Sequence, residues 1–145
     1  MFTHILVATD GSELSHKAEA TGLQLARSLG AKLSYVTVRI PFQIYTFEVG
    51  VTPDVFENYE AKTKASAQEI LNRVTAQAAA MGLKATTHEL TSEFPYEVIL
   101  DLAKTQSCDL IVMASHGRRG LSAMLLGSET TKLLTHSSLP VLVCK

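Results

Sequence analysis

Asp109-Leu-Ile-Val-Met-Ala-Ser-His-Gly-Arg-Arg-Gly-Leu-Ser-Ala-Met-Leu-Leu-Gly-Ser128 opens on a near-continuous apolar run, passes through a glycine-rich stretch and enters a segment with helical spacing. A strand that is apolar on both sides of its pleat is one covered on both faces, as in the parallel sheet of an α/β fold. This run is therefore expected at the centre of such a sheet. Gly117, Gly120 and Gly127 let backbone N–H groups approach an anion with no Cβ in the way, and Ser128 is placed to cap the next helix. A helix N-terminus presented by such a loop attracts phosphate oxygens.

Upstream, Ile5-Leu-Val-Ala-Thr9 is a short β-prone run, after which Ser12, Leu14, Ala18, Leu25, Ala26 and Leu29 recur at helical spacing up to Gly30. Leu33 to Ile40 reads as a second strand that Pro41 ends. A long and unusually apolar connection follows, with Phe42, Ile44, Tyr45, Phe47, Val49 and Val51 before Pro53. It is read either as folding back over the core or as covering a ligand or partner.

Asp54 with Glu57 has the spacing of a capping box, and Tyr59, Ala67, Ile70, Leu71, Val74, Ala78 and Met81 continue an apolar face to Gly82. A third strand spans roughly Lys84 to Thr91, and a helix begins near Pro95 with Val98, Ile99, Leu102 and Ala103 on one face. Glu129 to Thr135 is helix-compatible, and Pro140 to Cys144 reads as a last strand. The alternation β-α-β-α-β-α-β-α-β predicts a largely parallel sheet with helices on both faces and right-handed crossovers. Ligands of such sheets bind beyond the strands' carboxyl ends, where the strand order reverses. If the first and fourth strands are neighbours, the turns after Thr9-Asp10 and Ala114-Ser115 frame one crevice.

Composition narrows the classes. The 145 residues are 46% apolar and 19% charged, which suits a single domain over 1–145 with a sizeable core. A formal charge of -1 gives no reason to expect a nucleic-acid partner. The N-terminus has no basic region before its short apolar run, so neither a signal peptide nor a membrane span is expected and a cytoplasmic location is the default. Cys108 and Cys144 show no zinc-ligand spacing and read as reduced thiols.

Several catalytic and binding motifs are missing. The chain has neither GxGxxG nor GxxxxGK[ST], so the dinucleotide fingerprint and the P-loop lysine drop out. Gly120-Leu-Ser122-Ala-Met124 begins like a nucleophile elbow but lacks its second glycine. HExxH and EF-hand spacings are absent as well.

With Ile5-Leu-Val-Ala-Thr-Asp10-Gly-Ser12, Asp109 to Gly117, Leu125-Leu-Gly-Ser128 and Pro140-Val-Leu-Val143 in this order, the chain resembles the universal stress protein family over nearly its full length. The family's nucleotide-binding pattern, Gly-x2-Gly-x9-Gly-(Ser/Thr), falls on Ala114, Gly117, Gly127 and Ser128, so one glycine is replaced by alanine. The resemblance implies a five-stranded parallel open sheet of the Rossmann-like or flavodoxin-like type, akin to the adenine nucleotide alpha hydrolases. It also implies ATP, or AMP or ADP, as ligand, and homodimers formed through the last strand, Pro140 to Cys144.

Under that resemblance Ala8, Thr9, Val38 and Met113 contact the adenosine part, and Asp10 lies near ribose hydroxyls, water or a phosphate-bound Mg²⁺. His116 lies at the ribose and phosphate side, and Arg118 or Arg119 can add a charge-assisted contact. Gly127 and Ser128 offer N–H groups and a hydroxyl to the outer phosphates, followed by the N–H groups of Glu129 and Thr130, with the Glu129 carboxylate turned away. No positioned nucleophile or base is visible, so ATP hydrolysis or self-phosphorylation is expected to be slow at most. Two further readings stay open: an interaction module of the same fold that binds no nucleotide, and an enzyme acting on the α-phosphate of ATP.

Overall fold

The elements follow the order that the apolar pattern requires: β1 (His4–Ala8), α1 (Glu13–Leu29), β2 (Lys32–Arg39), α2 (Pro53–Ala80), β3 (Ala85–Thr91), α3 (Pro95–Thr105), β4 (Leu110–Ala114), α4 (Ser128–His136) and β5 (Val141–Cys144). The computed structural model describes residues 1–43, 52–117 and 126–145. Ile44, Tyr45, Phe47, Val49 and Val51, like Arg118, Arg119 and Gly120, lie outside the described residues.

All five strands are parallel and lie in the order β3-β2-β1-β4-β5. The middle place belongs to β1, and the run Leu110–Ala114, expected there, lies beside it and is buried along its whole length. The chain winds outward from β1 through β2 to β3 and then crosses back to β4. The order therefore reverses between β1 and β4, as a ligand crevice requires.

The pleat divides the core between two faces. Ile5, Val7, Leu33, Tyr35, Leu110, Val112 and Ala114 pack with Ala18, Leu23 and Ala26 of α1 and Leu71, Val74 and Ala78 of α2. Leu6, Val36, Ile111 and Met113 pack on the other face with Ile99 and Ala103 of α3 and Leu133 of α4. Each fully buried aliphatic side chain contributes about 1.5–3 kcal/mol, so this two-sided burial is the main stabilising term. The N-terminus is tied down by Asp109, whose carboxylate accepts from Thr3 N (2.8 Å), Thr3 Oγ1 (2.7 Å) and His4 N (3.0 Å). Burial opposes ionisation of Asp109, but these hydrogen bonds outweigh it and hold the carboxyl below its usual range.

The ends of two helices differ from expectation. Helix α2 starts at Pro53 with Thr52 in the N-cap position, so Asp54 sits inside the first turn and forms no capping box with Glu57. Proline's fixed φ suits the first helical position and moves the start upstream. Helix α4 has Gly127 as its N-cap, and Ser128 is its first helical residue rather than its cap. Phe42, at the start of the apolar connection, packs against Phe56 and Tyr59 with ring centroids 5.9 and 5.1 Å apart.

Gly22, inside α1, marks where that helix presses on the sheet: a Cβ there would lie 2.3 Å from Val7 Cγ2. Alanine gains up to about 1 kcal/mol of helix propensity, yet overpacking costs about 1–3 kcal/mol. Val7 is fully buried and stiff at χ1, so the clash is expected to win. Gly22→Ala should lower the urea midpoint, and Val7→Ala in the same chain should recover part of the loss. Simple additivity of the two changes would contradict this packing.

Candidate functional site

Two loops meet at the carboxyl ends of β1 and β4. After β1 the chain turns through Thr9, Asp10 and Gly11, whose φ is 75°, into α1. Asp10 Oδ1 accepts Ser12 N–H at 2.9 Å, and Ser12 Oγ caps α1 by accepting Ser15 N–H at 3.3 Å. Thr9 N–H continues the ladder to Val36 O at 2.9 Å. Both ends of the turn are thereby pinned.

After β4, Ser115 N–H bonds to Cys144 O at 2.8 Å and Gly127 N–H to Ser115 O at 2.7 Å. The buried Thr130 hydroxyl reaches back to the carbonyls of Ala114 (3.1 Å) and Ser115 (3.2 Å). The start of α4 is thus fastened to the end of β4. No side chain caps α4 among the described residues, so the N–H groups of Ser128, Glu129 and Thr130 point out of the helix end and carry its partial positive charge.

The loops touch. A Cβ on Gly117 would lie 2.7 Å from Asp10 Oδ2, and one on Gly127 would lie 3.2 Å from Ser115 O and 3.4 Å from His116 Cα. Neither glycine has a positive φ, so what a side chain would meet at these positions is a neighbour: the movable Asp10 carboxylate at Gly117 and the backbone of Ser115 and His116 at Gly127. A phosphate approaching the α4 amides passes backbone bare of side chains at these two positions.

The structure separates the remaining candidates by face. Ala8 and Val38 pack with Met113, Leu6 and Val36 on the α3–α4 face and give one apolar wall. Thr9 points the other way, towards α1, and leaves only its backbone on the crevice side. The Ala114 methyl is likewise buried on the α1–α2 face with Val7 and Ala18, where it does not narrow the crevice. His116 Nδ1 lies 3.0 Å from Ser115 Oγ, while Nε2 has no partner among the described residues. Ser128 is exposed, and Arg118 is outside the described residues.

Glu129 has its carboxylate turned away from the helix end, as an anion site requires. Its Oε2 accepts Tyr96 N–H at 3.1 Å, and its Oε1 lies 3.5 Å from Lys132 Nζ. It thus supplies the N-terminal acceptor that Phe94, the N-cap of α3, cannot.

Two ionic clusters, one around the buried Glu19 and one half-buried, were not legible in the sequence. Glu19, 2% exposed, forms a two-pronged pair with Arg73 (2.7 and 2.9 Å), and Arg39 binds Glu89 at 2.7 Å and Glu60 at 3.2 Å. Tyr35 packs beside Glu19, and burial, reinforced by the Glu19 charge, pushes its phenol up to about 12. The signal for Glu19 was an acid between Ala18 and Gly22 in the apolar stripe of α1. A groove of about 460 Å³ between α1 and α2, lined by His16, Leu23, Arg73 and Gln77 among others, lies on the far face from Met113. Among the described residues no cluster of three or more His, Cys, Asp or Glu could hold a metal, and no helix is long and apolar enough to cross a membrane.

The model of the universal stress protein family matches residues 1–145. The chain is 34% identical over 149 residues to universal stress protein YxiE of Bacillus subtilis, with 100% of both chains covered. It resembles the solved structure of the hypothetical protein MJ0577 with a TM-score of 0.83 and 26% identity, covering 100% of this chain and 96% of that one. A universal stress protein solved in complex with cAMP matches with a TM-score of 0.72 and 26% identity, over 99% of this chain and 97% of that one.

The contact between the two loops is open to test. Gly117→Ala should push the Asp10 carboxylate aside and release Ser12 N–H, read as faster exchange of the Ser12 amide. Global stability should change by less than about 0.5 kcal/mol, because Gly117 is exposed. An unaltered Ser12 exchange rate would show that the loops are not in contact.

Proposed function

The chain belongs to the universal stress protein family, and we propose that it is a cytoplasmic, single-domain member that binds ATP and serves a regulatory or protective role in stress. The observation that carries this reading is the N-terminus of α4, which no side chain caps among the described residues, at the point where the strand order reverses and beside Gly117 and Gly127. The cAMP-bound relative supports an adenine nucleotide as the ligand class.

In this reading the amides of Ser128, Glu129 and Thr130 hold the phosphates, with the Ser128 hydroxyl as a further donor. Ala8, Val38 and Met113 line the base, and the backbone at Thr9 and Ala114 borders the nucleoside. His116 faces the ribose and phosphate side, and Arg118 adds positive charge from the loop. Mg²⁺ would arrive on the phosphates, neutralising them beside Asp10. AMP and ADP would use the same base and helix contacts with fewer phosphate bonds.

Turnover is proposed to be slow at most. Ser115 is 2% exposed and its hydroxyl is engaged with His116, so this adjacent pair offers no accessible nucleophile.

A ligand that binds only the folded state at a hundred times its Kd adds about 2.7 kcal/mol, a rise of several degrees in Tm for a chain of this size. Mg-ATP should produce such a rise, and Gly127→Val, which crowds the backbone at Ser115 and His116, should lose it. No shift at millimolar Mg-ATP would favour an interaction module without nucleotide. Retention of the full shift by Gly127→Val would move the site elsewhere.

We also propose a homodimer through β5, an edge strand that β4 pairs on one side only and that carries the 37% exposed Leu142. Sedimentation at micromolar concentration should give a dimer, and Leu142→Lys should give monomers. Monomers from the unaltered chain would refute this assembly.

A further inference from the structure

A line of hydrogen bonds runs from α2 through α1 to the first of the two loops. Arg73 Nη1 and Nη2 donate to Glu19 Oε2 at 2.7 Å and Oε1 at 2.9 Å, and Glu19 Oε1 also accepts the Thr9 hydroxyl. Thr9 Oγ1 in turn accepts Gly11 N–H at 3.1 Å. Thr9 and Glu19 are 6% and 2% exposed, so the bond between them is shielded from water.

The direction of each bond follows from the chemistry of its groups. A guanidinium only donates and a carboxylate only accepts, so the Thr9 hydroxyl must act as donor towards Glu19. That fixes the rotor and aims its lone pairs at the Gly11 amide. Without a carboxylate at this place the hydroxyl has another acceptor, Ser15 Oγ at 3.1 Å, and would be free to turn. Gly11 is the residue whose φ of 75° reverses the chain between Asp10 and Ser12. The peptide that the bond holds is therefore the one presenting the Asp10 carboxylate towards Gly117.

We infer that Glu19, charge-balanced by Arg73, is a positioning residue for the nucleotide-facing turn Thr9–Ser12, acting through the Thr9 hydroxyl on the Gly11 amide. This rests on the nucleotide reading given above. Neither Glu19 nor Arg73 touches the crevice; both line the groove between α1 and α2 on the opposite face of the sheet. Through them the packing of α2 on α1 bears on ligand affinity.

The test uses the full chain with Glu19→Leu, Thr9→Val and Thr9→Ser, reading ATP affinity by calorimetry and Gly11 amide exchange by NMR. Leucine suits the apolar stripe of α1 and leaves Arg73, 33% exposed, free to turn to solvent, so the variant is expected to fold. Glu19→Leu and Thr9→Val should each weaken ATP binding by about tenfold, the worth of one hydrogen bond to a charged group, and should speed Gly11 exchange. The double variant should be little worse than either single one, since both break one line of bonds. Thr9→Ser, which restores the hydroxyl, should bind like the unaltered protein.

Unaltered Gly11 exchange in Glu19→Leu overturns the positioning role, and so does unaltered ATP affinity with faster exchange. Failure of the unaltered protein to bind ATP overturns the nucleotide reading alone, and Gly11 exchange in the variants then decides the positioning by itself.

Discussion

Parallel pairing of β1 with β4 is the constraint on which the rest of this structure depends. Because all five strands run the same way, every carboxyl end lies along one edge of the sheet, and every return must pass over a face by way of a helix. The chain leaves β1 towards β2 and comes back beside β1 only at β4, so the loops following these two strands diverge above the same ladder. Helices α1 and α2 close one face, α3 and α4 the other. The meeting of the two loops is thus a product of strand order rather than of either loop alone.

Close approach then fixes how the helices and loops meet the sheet. Gly22 brings α1 hard against Val7, Gly117 brings the second loop against Asp10, and Gly127 brings the start of α4 against the end of β4. Each is a place where a methyl group would meet an atom already present. Around these contacts the polar groups are arranged so that a helix end is served by a neighbour: Glu129 of α4 caps α3, and among the described residues no side chain caps the N-terminus of α4 itself. The same displacement removes a negative charge from the place where an anion would sit.

The Glu19–Arg73 pair is better understood by what it aligns than by what it stabilises. Replacing a buried ion pair with apolar side chains is often neutral or stabilising by about 1–4 kcal/mol, because desolvation offsets the attraction. Here the pair is the anchor of a directed set of hydrogen bonds that ends on a backbone amide in the β1–α1 turn. Directionality is something an apolar contact cannot supply.

The sequence by itself determined the element order, the two-sided burial of Leu110–Ala114 and the resemblance carried by the two loops. These are local properties: strand and helix periods are written in neighbouring residues, and the buried face of α2 from Ala67 to Ala78 was legible for that reason. Helix starts were less legible, since the N-caps of α2 and α4 fell to Thr52 and Gly127 once the backbone had chosen its path. Only the tertiary structure decided which face each candidate serves. It turned Thr9 and Ala114 towards α1 and α2, kept Ala8, Val38 and Met113 on the α3–α4 face, and joined Glu19 to Arg73, which lies 54 positions further along the chain. The physical reason is that alternation along a strand assigns residues to faces, but strand order and crossover decide what each face meets.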